Sequence, residues 1–463
     1  MLNFDSSGLY GDGLLSPEER PSGDDDEILN AARTLQGRFD EGEVGFVHTP
    51  DTEIDPIVAW AEERRKEQFT DQLVIGIGGS SLGARAVLHS AMPKHRRGLD
   101  TYFAENLDPE SVDRLFNFLD PETTLVVVIT KSGTTVETMS QFAIARRWLI
   151  DAVGEQRANR QIVAVTDPES GSLRKLVDEH GWFDFSIPPN VGGRFSVLTP
   201  VGLVPLALAG YPVRALVDGA KRARDRHSDV DAIASSWGVV AAEHLALAER
   251  GFDQLVMMSY ADRLTGLVDW FRQLWAESLG KATNRRGETV HTGTTPIKAV
   301  GVIDQHSQVQ LYREGPNDKH ITFLEVDQFD RERTIPQSPS MPAALSHLEG
   351  QRLSRVFGAE LEGTRAALQQ AGRPTSTWRF DAINPSTIGA FLYSWQMITA
   401  LAGELLGINT FDQPGVELGK NIAHGLLGHP DHRQLAQQML DATEAHTSSE
   451  AIQFLGEPDP AVG

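Results

Sequence analysis

Two stretches of this chain share one design: an apolar run, a loop of Gly, Ser and Thr, then residues with helical periodicity. LVIGIG at 73–78 leads into GSSLGARAVLHSA, and LVVVIT at 125–130 leads into KSGTTVETMSQFAIARRWLI. A short apolar run bounded by turn residues reads as a strand buried on both faces, and a helix must carry the chain back before the next parallel strand. QIVAVTD at 161–167 supplies a third such strand. The alternation predicts an α/β fold built on a doubly wound parallel sheet with helices on both faces.

After Gly210 the chain reads as helical to Arg250, then as a strand (LVMMSY), a helix (Ala261–Leu279) and another strand (ITFLEV). This is the pattern of a second α/β domain, covered by helical segments at Ala343–Ala371 and Pro385–Leu406. We expect a peripheral N-terminal segment at 1–60, turn-rich and acidic, with a short helical signal around Ile28–Phe39. A first domain at 61–210, a second at 211–430, and a C-terminal helix and tail at 431–463 follow, the Pro/Gly-rich EPDPAVG marking a frayed end. No repeat is visible at the 20–50-residue scale.

The 463 residues carry 42 basic and 64 acidic side chains, a formal charge of −22, so the surface as a whole repels polyanions and nucleic acid is not an expected partner. An anionic ligand would need local donors: Arg, Lys and the N–H groups at helix starts. Only 9 Lys are present, and Lys131, Lys281 and Lys420 fall inside motif-like stretches. Zero Cys excludes disulfides and thiolate chemistry. No apolar run approaches the ~18 residues of a membrane span, and the opening MLNFDSSGLYGDG lacks the parts of a signal peptide, so the expected location is cytoplasmic.

Gly76-Ile-Gly-Gly79-Ser80-Ser81-Leu-Gly83 sits between a predicted strand and a predicted helix, where Gly lets backbone N–H groups approach an anion and Ser80 adds a hydroxyl. It matches neither nucleotide fingerprint, since position 81 is Ser and no Walker lysine follows; a tight turn that binds nothing is the plain alternative. Thr130-Lys131-Ser132-Gly133-Thr134-Thr135 occupies the equivalent place on the next strand and offers hydroxyls and an ammonium suited to a phosphate monoester, although helix capping alone would use the same residues. Loops on successive parallel strands put their donors at one carboxyl edge, where open α/β sheets bind ligands.

Arg194, in Gly192-Gly193-Arg194-Phe195-Ser196, is presented from a glycine turn and stays charged at every working pH, as a ligand cation or a surface ion-pair residue. Gln273 and Glu277 share a helix face near Trp275, where a carboxylate can serve as a base; Glu277 with Lys281 is equally an i,i+4 ion pair. His306 follows Asp304-Gln305 and precedes a strand-like SQVQLYREGP. Phe411-Asp412-Gln413-Pro414-Gly415 turns into a helix with Lys420 in its first turns, at the end where the helix dipole disfavours a cation. His429-Pro-Asp-His432 reads as a loop rather than a metal site.

Taken in order, these stretches resemble the glucose-6-phosphate isomerase family in its shorter bacterial form. NVGGRFSVLTPVGL (190–203) and GINTFDQPGVELGK (407–420) are long, specific matches, and GIGGSSLG, TKSGTT, AESLGK and DQHSQVQLYREGP fall in the family's order, so the resemblance covers about residues 70–430. It implies two sugar-isomerase (SIS) domains, no cofactor or metal, and a homodimer in which His306 reaches the partner's site. Glu277 would move a proton between C1 and C2, Arg194 would stabilise a cis-enediolate, and His306 and Lys420 would assist ring opening. Ser80, Thr130, Lys131, Ser132 and Thr135 would hold the phosphate, with Gly79 giving backbone contact and Gln273 and Gln413 binding hydroxyls. The residue types suit that chemistry, because a proton next to a carbonyl yields to a carboxylate only where the developing oxyanion meets a fixed cation. A phosphosugar sensor without catalysis would have no need of Glu277, His306 and Lys420. An amino-sugar phosphate isomerase of the same superfamily fits GVELGK less well, and a nucleotide-dependent enzyme fails on both fingerprints.

Overall fold

The computed structural model describes residues 1–91 and 98–444, so the EPDPAVG tail lies outside the described residues. The chain forms two units, Met1–Phe411 and Asp412–Gly463. The first contains strands β1 (Leu2–Asp5), β2 (Asp71–Ile75), β3 (Asp100–Ala104), β4 (Thr124–Ile129), β5 (Ile162–Thr166), β6 (Phe183–Ser186), β7 (Gln254–Ser259), β8 (Lys281–Thr283), β9 (Thr289–Thr292), β10 (Thr295–Val300), β11 (Lys319–Gln328) and β12 (Thr375–Ala382). In the second, helix Glu417–Leu426 packs on helix Arg433–Glu444. No helix among the described residues is long and apolar enough to cross a membrane.

The first sheet runs β3-β2-β4-β5-β6, all parallel. Every residue of β4 and β5 is buried, which is why LVVVI and IVAV read as unbroken apolar runs. The second sheet runs β1-β12-β11-β7-β10, parallel except for β1, which pairs antiparallel with β12. Both sheets place their first parallel strand, β2 or β7, between the next two in sequence, so the chain winds outward on both sides of it. The doubly wound architecture expected from the sequence is present twice.

Helix Thr265–Leu279 of the second sheet lies on helix Leu82–Ser90 of the first. The approach is close at Gly266, where an added Cβ would stand 3.0 Å from the Ala86 Cα. Helix Pro385–Leu405 is buried along almost its whole length and apolar on every face, as a central core helix must be.

Several local expectations are corrected. Within the peripheral segment expected at 1–60, β1 extends the second sheet, and helix Asp26–Asp40 buries Ile28, Ala32, Leu35 and Phe39 in the main core. SQVQLYREGP is not a strand; a turn at Ile303–His306 is followed by the short helix Val309–Glu314, seated by the buried Tyr312 whose hydroxyl donates to Gln308 Oε1 at 2.6 Å. Ala343–Ala371 divides into a 3₁₀ turn, Ala343–Leu348, and helix Leu353–Gln370, because Gly350 between them takes φ +79°. β10 escaped notice because Pro296 interrupts its pattern; it is an edge strand, where a missing N–H is tolerated.

The helix that ends at Leu279 is seated on aromatic rings. Trp275 meets Trp395 edge-on at 5.8 Å and Phe271 lies 4.5 Å from the same ring, both between centroids. Behind Trp275, His244 Nδ1 and His320 Nε2 are 3.0 Å apart and His320 Nδ1 is 3.1 Å from the Phe252 carbonyl. Burial pulls His320 down to about 4 and His244 well below its ordinary value, His320 adding to the latter effect. In the unfolded chain both titrate near ~6.5, so the unfolded state binds more protons between about 6.5 and 4, and stability is lost as pH falls through that window. The apparent Tm is therefore expected to fall from pH 7 to pH 5, and His320→Asn to make that fall shallower by about 1–3 °C; equal slopes in differential scanning calorimetry would show that the pair does not titrate on unfolding.

Candidate active site

The chain leaves β2 through Gly76 and Ile77 into a tight turn at Gly78–Ser80 before helix Leu82–Ser90. Gly78 adopts φ +58°, and a Cβ there would stand 2.9 Å from Gln273 Nε2. A Cβ on Gly79 would lie 2.2 Å from the Gly193 carbonyl carbon, so the β2 loop and the Gly192–Arg194 turn pack backbone to backbone. Glycine is required at position 79 by this approach rather than by φ. The loop is also anchored behind, Ser81 Oγ donating to Glu105 Oε1 at 2.6 Å.

The neighbouring loop leaves β4 at Thr130. Thr130 Oγ1 stands 3.3 Å from Thr135 Oγ1 and accepts the Gly133 N–H at 3.3 Å, and Ser132 Oγ is 2.8 Å from Thr134 Oγ1. Thr135 is the N-cap of helix Val136–Val153, yet its side chain takes no bond from the first turn. Capping therefore does not account for that hydroxyl. Gly133, at φ +68°, brings the loop within 2.2 Å of the Leu173 N measured from an ideal Cβ. The Lys131 ammonium donates to the carbonyls of Pro189 (2.5 Å) and Val191 (3.4 Å), tying this loop to the segment before Arg194. Burial holds that ammonium below the usual lysine range, with Asp167 acting in opposition.

Arg194 is 4 % exposed and sits in the turn Gly193–Phe195. Its Nε donates to Ser278 Oγ at 2.8 Å, Nη1 to Glu277 Oε2 at 3.3 Å and Nη2 to the Thr410 carbonyl at 2.5 Å. Glu277, in the last turns of helix Thr265–Leu279, has a side chain 35 % exposed and also takes the Gln273 amide on Oε1 at 3.4 Å. Its carboxylate thus stands between a buried cation and an amide, with one side open. Lys281 Nζ donates to the carbonyls of Glu277 (2.6 Å) and Ser278 (3.0 Å), closing the helix end as a C-terminal cation does.

Gly79, Ser80, Thr130, Lys131, Ser132, Thr135, Arg194, Gln273 and Glu277 are linked by this chain of contacts. His306 is carried on a separate element, the exposed end of the turn Ile303–His306 after edge strand β10. Gln413 and Lys420 belong to the second unit; Gln413 precedes the turn Pro414–Val416, and the exposed Lys420 pairs with Glu417 at 2.9 Å. That pair, three residues apart, offsets the unfavourable place of a lysine near a helix start.

Sequence reasoning missed the partners that fix Arg194. Ser278 lay inside AESLGK without an assigned part, and Thr410 contributes a carbonyl, which no side-chain pattern reveals. Behind Thr410, the buried Glu404 accepts from Arg285 at 2.5 and 2.6 Å and from Arg38 at 2.7 Å, and the Arg285 N–H bonds the Gly407 carbonyl at 2.9 Å.

Known proteins resemble this chain in sequence and in fold. A family model described as phosphoglucose isomerase matches residues 58–449. The glucose-6-phosphate isomerase of Carboxydothermus hydrogenoformans is 44 % identical over 427 residues, covering 90 % of this chain and 91 % of its own. Among solved structures, a hypothetical protein from Thermus thermophilus superposes with TM-score 0.83 at 35 % identity, covering 92 % of this chain and all of its own. A glucose-6-phosphate isomerase from Chlamydia trachomatis superposes with TM-score 0.71 at 25 % identity, over 85 % of this chain and 76 % of its own. Matched across most of its length by sequence and by fold, the chain belongs to the phosphoglucose isomerase family.

Proposed function

We propose that this isomerase interconverts D-glucose 6-phosphate and D-fructose 6-phosphate in the cytoplasm by proton transfer through a cis-enediolate, serving glycolysis and gluconeogenesis. The observation that carries the reading is the Arg194–Glu277 pair, a buried guanidinium 3.3 Å from a carboxylate that keeps one side open. In the aldose-to-ketose direction Glu277 takes the C2 proton and the C2–H electron pair forms the C1–C2 double bond. The carbonyl pair moves onto O1, where Arg194 stabilises the developing negative charge. The O2 proton is then transferred to O1, the C2=O2 double bond forms, and the C1–C2 electron pair takes the proton back from Glu277 at C1, which completes the ketose. A cation already desolvated and held by neutral Ser278 and Thr410 needs little reorganisation as that charge appears.

The phosphate in this reading rests on Ser80, Thr130, Lys131, Ser132 and Thr135, with the Gly79 backbone beside it, at the switch point of the first sheet. Gln273 and Gln413 bind sugar hydroxyls, and His306 and Lys420 move the protons of ring opening. We assign the two sheets to domains at 61–210 and 211–430, and we take the active assembly to be a two-fold homodimer in which His306 serves the partner's site. Its exposed place beyond an edge strand supports that assignment.

Glu277→Gln is expected to keep the fold and substrate affinity but to lose at least ~100-fold in turnover in a coupled assay run with chelator. Near-normal turnover would remove Glu277 from its role. Inorganic phosphate and sulfate are expected to compete with the sugar phosphate, because the Thr130–Thr135 loop recognises the dianion alone; noncompetitive inhibition would place the phosphate site elsewhere.

Shared sites are tested by mixing. Glu277→Gln and His306→Ala, each nearly inactive, are dissociated and reassociated together, with exchange confirmed by mass. One site of each mixed dimer then carries both defects and the other neither. Since about half the dimers are mixed, activity should return to roughly one quarter of wild type. No recovery would show that His306 serves its own chain.

A further inference from the structure

A cleft of about 750 Å³ lies away from this site, between β1, the C-terminal half of helix Val213–Arg226, the turn Ala234–Gly238 and the start of helix Pro385–Leu405. Three arginines from separate parts of the chain line it: Arg20 from the N-terminal segment, and Arg222 and Arg226 from consecutive turns of one helix.

Their charge is left over in a molecule that has acid to spare. On the same helix Arg214 pairs with Asp55 and Arg224 with Asp51. Among the described residues, Arg20, Arg222 and Arg226 form no ion pair; Arg222 donates to the Ser386 hydroxyl, and Arg20 lies 5.4 Å from the centre of the Tyr10 ring. Like charges four residues apart on a helix also repel, costing about 0.2–0.5 kcal/mol. The favourable helix C-terminus offsets this for Arg222 and Arg226, but it does not bring Arg20 to the same cleft.

The floor carries polar atoms without partners. Trp378 is 4 % exposed and its Nε1 meets no acceptor; Glu243 is 1 % exposed and its Oε2 meets no donor, while Oε1 accepts from Tyr10 at 2.7 Å. Glu243 is the one carboxylate lining the cleft. Burial raises its pKa, opposed by the Tyr10 and Ser6 hydroxyls and by the charge of Arg20. Phe4, Val239 and Val240 supply an apolar surface beside these groups.

We propose that this cleft is a second ligand site, taking a small organic polyanion whose charged groups are gripped by Arg20, Arg222 and Arg226 and whose uncharged part lies on the apolar floor. The two helix arginines are one turn apart and can each bond an anionic group through two N–H donors, a geometry suited to phosphate and carboxylate alike. The site is separate from Arg194 and Glu277, so its occupancy does not depend on the catalytic assignment.

Isothermal titration of the full-length protein tests this, with the isomerase site first saturated by an equilibrium mixture of glucose 6-phosphate and fructose 6-phosphate. Citrate and inorganic pyrophosphate are the probes, separating carboxylate from phosphate preference. At least one is expected to bind once per chain, with affinity falling as salt rises, and to bind Glu277→Gln as it binds wild type. The double variant Arg222→Ala/Arg226→Ala should weaken binding by about tenfold or more, and Arg20→Ala should weaken it as well, each confirmed as folded by circular dichroism. If neither probe binds the sugar-loaded protein, or if the folded arginine variants bind as tightly as wild type, the proposal is overturned.

Discussion

Burying a guanidinium is among the more expensive acts a fold can perform, and this chain does it at Arg194. The ion has to be surrounded by acceptors or it would not stay inside. Ser278 supplies one, the Thr410 carbonyl another, and Glu277 the only charged one among these bonded contacts. Ser278 and Glu277 share one helix end and Thr410 lies on another segment, so the turn at 193–195, the end of helix Thr265–Leu279 and the segment before Phe411 must all arrive at one point. Much of the architecture serves that convergence. The aromatic seat under Trp275 fixes the helix, the Arg38–Glu404–Arg285 cluster fixes the segment that ends in Thr410, and the glycine contact between 79 and 193 presses the phosphate-type loop against the arginine's own turn.

How much of this was legible depends on where the partners lie in sequence. The first sheet announced itself because fully buried parallel strands are unbroken apolar runs, and the loops after β2 and β4 stood out because glycine and hydroxyl residues cluster where the chain must turn. Edge strands gave no such signal: β10 carries Pro296, and β1 is a four-residue strand next to acidic turns. SQVQLYREGP alternates like a strand but anchors through Tyr312 and Val309, and a helix of one or two turns is too short to show its period. Gln273 and Glu277 share a helix face, but Lys281 offers an ion pair just as local, and the role of base came from the family resemblance. The bond of Arg194 to Ser278 spans 84 residues and that of Arg38 to Glu404 spans 366, and no local pattern encodes such pairs.

The same reasoning separates two kinds of cation in an acidic molecule. Lys131 is held by neutral carbonyls, which orient a charge without cancelling it. Arginines such as Arg147, Arg214 and Arg224 are instead matched to carboxylates and so contribute little field. A negative surface can therefore coexist with a pocket for an anion, because water and salt screen the distant carboxylates while nearby dipoles and buried charges act at short range.

The two sheets share one strand order although their sequences show no repeat. Right-handed crossovers and a central first strand are conditions on topology, and they leave almost every side chain free to change. One sheet carries small, hydroxyl-bearing residues at its carboxyl edge, while the first strand of the other is followed by a longer helix with a carboxylate in its last turns. In the reading proposed above, the half that holds the anion and the half that carries the base are separate stretches of chain. Selection can alter the substrate's grip in one without rewriting the chemistry in the other.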